Sequence, residues 1–297
     1  DLNQHQGGTI NGVTQSLPYL ADLGVNTLWL SPVSPSETYH RYDATDYFNV
    51  DPSLGSNDDL KTLIQQAHAL QMRVILDFVP SHCSWRPPAF VAAQKAQNAP
   101  EASRFDFAAW PDNTTSPAAR RHISDSAVHW LTEFGFDGLR LDHTIAHGTD
   151  FWVQFRAALR AAKPEAVTIA EATDTADALR NLAGRIDDVL DFPFAHALRM
   201  TFGKQAWSLT RFHNFLQQYE RYMADGPERV SFLDNHDMNR FLFVADQNVQ
   251  RLKLAAVCQF TLAPTPTIYY GTEIGMSQTV DKDAIGFGGD SVVRENM

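Results

Sequence analysis

Cysteine is scarce in this chain: Cys83 and Cys258 are the only two in 297 residues. Two thiols so far apart build neither a disulfide framework nor the paired spacing of a zinc site, so both read as ordinary thiols. Basic residues are in deficit too, 24 against 35 acidic, for a formal charge of −11. A surface of that sign repels phosphate backbones and argues against a nucleic-acid partner, while saying little about a neutral substrate such as a sugar. No apolar run approaches the roughly 18 residues of a membrane span, so no membrane partner is expected. Residues 1–6 are polar and lack the basic-then-apolar order of a secretory leader, which leaves localisation unknown. Internal repeats and low-complexity tracts are missing as well. What remains, 44% hydrophobic and 20% charged, is the composition of a globular protein with a sizeable core. The length suits one large barrel or two ordinary domains, and the oligomeric state stays open.

Short β-branched runs alternate with helical periodicity, the pattern of a parallel α/β sheet or barrel. The runs fall at residues 25–30, 74–78, 138–141, 167–170, 189–194, 230–233 and 267–270. Between them lie amphipathic stripes: Leu60, Leu63, Ile64, Ala67 and Leu70 at three- and four-residue steps; Ile123, Ala127, Trp130, Leu131 and Phe134, opened by Ser116-Pro117 and closed by Gly135; Trp152, Phe155 and Leu159; and Leu252, Ala255, Ala256, Cys258 and Leu262. One connection breaks the rhythm. Residues 83–115 have no clear period and carry Pro87, Pro88, Pro100 and Pro111, long for a strand-to-helix loop of roughly 2–6 residues. We therefore divide the chain into 1–82, a first barrel part; 83–115, an inserted subdomain-like loop; and 116–297, a second barrel part. The aromatics of the insertion, Trp85, Phe90, Phe105, Phe107 and Trp110, read as its own small core.

Carboxylates gather where the apolar runs stop. Asp77 follows Val74-Ile75-Leu76, with Ser81-His82 just beyond; Asp142-His143 closes the next run, Glu171 the one after, and Asp234-Asn235-His236-Asp237 a later one. An acid at a strand end is usually a helix cap, but four strands each ending in one point to a shared mouth, where barrel enzymes keep their chemistry. Arg140 and Asp142 are two apart on a strand and so share a face, where the arginine is expected to lower the acid's pKa and keep it ionised. Glu171 follows an apolar run, whose walls are expected to raise its pKa. Two carboxyls with opposite tasks suit cleavage of a glycosidic bond, where one attacks and the other protonates the leaving oxygen.

In order, these segments resemble the α-amylase family of glycoside hydrolases. The matching stretches are residues 24–32 with Trp29 and Ser31-Pro32, His40-Arg41-Tyr42-Asp43, Asp77 to His82, Gly135 to His143, Glu171, Phe232 to Asp237, and residues 265–273 with Tyr269-Tyr270-Gly271. The resemblance covers residues 7–297 and implies a (β/α)8 TIM barrel with a short irregular insertion after its third strand, the run at 74–78. The barrel's first strand and the family's C-terminal β-sandwich domain are expected to be missing from this chain. By the same resemblance Asp142 is the nucleophile, Glu171 the acid/base and Asp237 the third catalytic acid. Arg140 accompanies the nucleophile, and His82 and His236 bond sugar hydroxyls. Tyr42 offers a ring for stacking, Asp77 organises the site, and Asp290 and Arg294 form a substrate-binding pair.

Two positions depart from the family pattern: Ser81 stands where Asn is usual, and Ile145-Ala146 where Lys-His is common. That Asn and His serve a calcium site, and hard calcium needs six to eight oxygens, so no metal and no cofactor is expected here. The implied activity is a retaining hydrolase of α-1,4-glucosidic bonds in starch-like glucans, maltooligosaccharides or cyclodextrins. A transglycosylase or isomerase acting on sucrose, trehalose or maltose is the alternative, as is an inactive barrel with a binding role.

Overall fold

The computed structural model describes residues 8–84, 91–92, 116–263, 265–286 and 288–297, so nearly all of the expected insertion, its five aromatics included, lies outside the described residues. The chain divides into two compact units, Asp1–Glu171 and Ala172–Met297.

The first unit runs α1 (Ile10–Asp22), β1 (Thr27–Leu30), α2 (Asn57–Ala69), β2 (Arg73–Phe78), α3 (Pro117–His129), β3 (Gly138–Leu141), α4 (Thr149–Ala162) and β4 (Val167–Ala170). Its strands pair in parallel and in sequence order. Helix α2 begins on a capping box: Ser56 Oγ accepts from the Asp59 amide at 3.1 Å, and the Asp59 carboxylate accepts from the Ser56 amide at 2.8 Å. These bonds hold the Asp59 carboxyl below its usual range. Leu60, Leu63, Ile64 and Ala67 are buried as the stripe predicts, whereas Leu70, the C-cap, is 44% exposed because the helix has already ended. Ser116 caps α3 with Pro117 at its first turn, and a π-helical turn over Trp130–Phe134 then buries Trp130, Leu131 and Phe134 before Gly135 turns the chain at φ 89°. Trp152, Phe155 and Leu159 bury one face of α4. Strands β2 and β3 are covered on both faces, as interior parallel strands are.

The second unit runs α5 (Ala176–Arg180), β5 (Asp188–Leu190), α6 (Phe192–Leu198), α7 (Leu209–Met223), β6 (Glu228–Ser231), α8 (Phe241–Val244), α9 (Val249–Leu262), β7 (Thr265–Pro266) and α10 (Lys282–Ile285). Three expectations shift here. The run at 189–194 gives a strand only to Leu190, because Asp191 accepts from the Phe194 amide at 3.0 Å and starts a helix with Pro193 in its first turn. The last strand is Thr265–Pro266 rather than 267–270: the Thr267 amide still donates to Ser231 O at 2.7 Å, but Tyr269 and Tyr270 turn out over the Arg240 guanidinium, 4.7 and 5.1 Å from it. In α9 the buried face is Leu252, Ala255 and Gln259, with Leu262 exposed. Gln259 takes this place because its Nε2 donates to Ser231 O and Thr267 O at 3.1 and 2.9 Å.

Strand β3 carries the residues of greatest interest, and Gly138 sets how closely it meets β4. A Cβ there would stand 2.4 Å from Val167 O, a backbone atom that cannot step aside. Gly138→Ala is expected to cost about 1–3 kcal/mol, the range for overpacking, and to lower the urea midpoint. An unchanged midpoint in equilibrium denaturation would show that the two strands are not pressed together as described.

Candidate active site

Register brings the first group of polar residues together. Asp77 on β2 pairs with Arg140 on β3, and Leu141 pairs with Ala170, so Asp142 and Glu171 each follow directly after paired residues. The Asp142 amide donates to Phe78 O at 3.0 Å and the Glu171 amide to Leu141 O at 2.9 Å, which carries the ladder one step past the strand ends.

The Arg140 side chain is fully buried and meets three carboxylates. Nη1 stands 2.6 Å from Asp77 Oδ1 and 3.0 Å from Asp142 Oδ1, and Nη2 stands 2.8 Å from Glu171 Oε1 in an ion pair off the line of a good hydrogen bond. The other oxygen of Asp77 accepts from Tyr42 OH at 2.9 Å and Trp29 Nε1 at 3.1 Å. The guanidinium also faces the rings of Trp29 and Tyr42, 5.3 and 5.8 Å from their centroids. Glu171 Oε2 accepts from the His143 amide at 3.0 Å, a bond made possible by left-handed backbone at His143, φ 47°. Tyr42 sits in a turn fixed by buried Arg41, whose Nε binds Asp51 at 3.1 Å and whose Nη2 binds Ser53 at 2.9 Å.

Charge balance corrects one expectation. Burial pushes the Asp142 carboxyl up to about 8; Arg140 pulls it down, but the charges of Asp77 and Glu171 and a side-chain hydrogen bond with Glu171 add to the rise. One cation is divided among three acids, so it does not keep Asp142 ionised by itself. Asp142 thus holds its proton more tightly than a free carboxyl, beside a second carboxyl, Glu171, on the same guanidinium.

His82 is half-buried, with Nδ1 2.9 Å from Ser81 Oγ and its carbonyl accepting from Tyr47 OH at 2.6 Å. Burial, reinforced by the nearby His143 and His40 and opposed by Asp43, lowers its pKa and keeps the ring neutral at pH 7. The Ser81 hydroxyl bonds to a histidine and Ala146 brings no side-chain oxygen, so neither position supplies the amide or imidazole that the resemblance associates with a calcium site. His147 is packed, not poised: its ring lies 5.0 Å from Phe151 and 5.2 Å from Trp152.

The second unit assembles the remaining four residues. Arg294 Nη2 stands 3.0 Å from both Asp237 Oδ1 and Asp290 Oδ2, and Arg294 Nε donates to His236 O at 3.0 Å. His236 Nε2 lies 3.1 Å from Asp237 Oδ2, and the Asp237 amide donates to Asn235 Oδ1 at 2.9 Å. Asp237 keeps 48% of its side chain exposed. Asp234, three residues earlier, is the opposite kind of acid: buried, it accepts from the Phe241 amide at 2.6 Å and Thr272 Oγ1 at 2.9 Å, the cap of α8. Trp29 is the residue that the pattern missed, since an aromatic inside an apolar run reads as core.

The raised carboxyl has a stability consequence. A group that binds its proton more tightly in the folded chain than at the unfolded value of about 3.9 favours folding below that pH, and this contribution fades as pH rises through about 8. Asp142→Asn escapes the loss, so it is expected to be more stable than the parent by about 0.5–2 kcal/mol at pH 8, with a smaller difference at pH 5. Denaturation curves at the two pH values test it; a difference that shrinks toward pH 8 has the wrong sign.

The family model described as "Alpha amylase, catalytic domain" matches residues 1–115 and 104–294. Alpha-amylase 2 of Dictyoglomus thermophilum is 36% identical over 95% of this chain, and a cyclomaltodextrinase of Thermoanaerobacter pseudethanolicus 34% identical over 93%. Each alignment covers 52% of the relative, so the chain spans about half the length of the curated relatives it matches. A solved cyclomaltodextrinase structure superposes with a TM-score of 0.84 at 31% identity, over 93% of this chain and 51% of the other. The strands, parallel within each unit, are thus strands of a (β/α)8 barrel fold, and no strand precedes α1 among the described residues. The chain belongs to the α-amylase family, matching its catalytic domain.

Proposed function

We propose that this chain is the catalytic part of a retaining glycosidase that cleaves α-1,4-glucosidic bonds in starch-like glucans, maltooligosaccharides or cyclodextrins. The observation that carries the reading is the Arg140 clamp, which holds the Asp142 and Glu171 carboxyls at two neighbouring strand ends, 3.0 and 2.8 Å from one guanidinium. Double displacement needs that pairing. Asp142 attacks the anomeric carbon as a carboxylate while Glu171 gives its proton to the leaving oxygen; water then attacks the same carbon as Glu171 takes a proton from it, breaking the bond to Asp142 and leaving Glu171 protonated again. Inverting enzymes keep their carboxyls roughly 6.5–9.5 Å apart to admit a water between them, and two carboxyls held on one guanidinium, 3.0 and 2.8 Å from its nitrogens, favour the retaining arrangement.

The other parts follow from their surroundings. Arg140 and Asp77 position the pair and never leave the protein interior. Neutral His82 offers a nitrogen to a sugar hydroxyl. Tyr42 keeps its ring edge for the sugar while its hydroxyl is tied to Asp77. Asp237, half exposed and steadied by Arg294 and His236, takes the ring hydroxyls of the distorted sugar, with Asp290 holding Arg294 from the other side. The reading requires no cofactor, and no calcium at Ser81 and Ala146.

Asp142→Asn is expected to lower turnover of an aryl α-maltoside at least a thousandfold while the far-UV spectrum stays that of the parent, since the change removes the attacking charge and almost no volume. A rate within tenfold of the parent refutes the nucleophile assignment. The first product released should be the α-anomer by proton NMR; release of the β-anomer refutes retention. Dialysis against EDTA is expected to leave the melting temperature unchanged within about 2 °C, and a fall of 5 °C or more would reveal a stabilising metal.

A further inference from the structure

Two adjacent tyrosines that follow β7 grip one short segment near the end of the second unit. The Tyr269 hydroxyl donates to Val293 O at 3.1 Å and the Tyr270 hydroxyl to Glu295 O at 2.7 Å. Those two carbonyls flank a single residue, Arg294. Its Nη2 is the atom that stands 3.0 Å from both Asp237 Oδ1 and Asp290 Oδ2, while its Nε donates to His236 O. One hydroxyl would be enough to tether the segment. Two that straddle one residue also fix the direction in which that residue leaves the backbone, and a long side chain with a fixed base has fewer places for its tip.

The grip is itself held in place. Arg240, 1% exposed, donates from Nη1 to Tyr270 O at 2.8 Å, and its guanidinium lies 4.7 and 5.1 Å from the centroids of the Tyr269 and Tyr270 rings. Cation–ring attraction of this kind orients both rings, which meet edge to face at 4.7 Å. The Arg240 amide donates to buried Gln278 at 2.7 Å. Beyond the tyrosines the chain turns at Gly271, φ 85°, and Thr272 Oγ1 donates to the buried Asp234 carboxylate at 2.9 Å. Burial holds the Tyr269 phenol well above its usual range, so its hydroxyl keeps the proton that it donates. The gripped segment is equally settled: Val293 is fully buried, and the Arg294 amide donates to Ser291 O at 3.2 Å, closing the 3₁₀ turn over Gly289–Val293.

We propose that Tyr269 and Tyr270 are positioning residues for the cleavage reaction, whose hydroxyls act through Arg294 to orient the Asp237 carboxylate. The proposal rests on the part assigned to Asp237 under the proposed function, and it gives the tyrosines no contact with the sugar.

A double-mutant cycle on the full chain, read as cleavage of an aryl α-maltoside, tests it. Tyr269→Phe with Tyr270→Phe removes the two hydroxyls and keeps both rings over Arg240. In the parent this pair is expected to lower kcat at least fivefold and to change KM by a smaller factor, because Asp237 is assigned to the distorted sugar. In Arg294→Gln the same pair should lower kcat less than twofold, since the guanidinium through which it acts is gone. A role in folding alone would cost the same factor in both backgrounds. If the pair unfolds, Tyr270→Phe alone, at a residue 38% exposed, stands in for it and should lower kcat at least twofold in the parent only. A smaller fall in the parent, a KM effect larger than the kcat effect, or a fall of twofold or more in Arg294→Gln overturns the positioning role and leaves the proposed function standing. If Asp237→Asn keeps kcat within threefold of the parent, or the parent does not cleave the maltoside, both are overturned.

Discussion

A single buried guanidinium holds the first polar group together. Arg140 has no contact with bulk water, and burying such a charge costs several kcal/mol unless partners surround it. Asp77 supplies the closest of these at 2.6 Å, on a neighbouring strand in direct register, and is itself fixed by Trp29 and Tyr42. Because Asp77 already meets most of the need for a counter-charge, Arg140 reaches Asp142 and Glu171 without satisfying either fully. The site is over-supplied with acid, and its behaviour follows from that excess.

The barrel strands make the arrangement affordable by leaving little freedom in it. Asp142 and Glu171 lie one residue past a paired Leu141 and Ala170, so a slip of one step in β4 would move Glu171 away from its partner and turn its side chain to the other face. Gly138 admits the carbonyl of Val167 at the start of the same pair of strands, and fully buried Trp152 and Phe155 lie on the helix that joins them. Each such side chain contributes roughly 1.5–3 kcal/mol of burial. The strain visible at His143, left-handed without being glycine, lies where its amide turns back to bind Glu171.

Much of this was legible in the sequence, and the reasons are physical. Carboxylates that end apolar runs stand out because an unpaired acid is costly in a core, and the two-residue step from Arg140 to Asp142 fixes a shared face whatever the fold around it. Helices showed themselves by period, and the phase was right in α2, α3 and α4, apart from Leu70 past the end of α2. It failed in α9, where Gln259 displaces its apolar neighbours from the buried face because two strand-end carbonyls need donors that only an amide supplies. The pKa of Asp142 was illegible for a similar reason: the local Arg140 predicts a fall, and the rise comes from burial and from acids on two other strands. Asp234 and Asp237 look alike in sequence, and only the Phe241 amide that claims Asp234 tells the cap from the exposed acid.

The excess of acid has a further meaning for the chemistry. The proposed mechanism requires one proton on the Asp142–Glu171 pair, and one cation with the two remaining carboxylates would then leave the buried cluster with one surplus negative charge. In the proposed mechanism an oxocarbenium-like transition state would bring positive charge to the sugar ring at the moment Glu171 gives up its proton, so the cluster would gain a partner as its negative charge grows. A fourth carboxylate would hold the shared proton too tightly to donate it. A second arginine would neutralise the nucleophile's field and leave the developing cation nothing to meet. One guanidinium among three carboxyls is the balance at which the proposed mechanism would keep an acid and a base together.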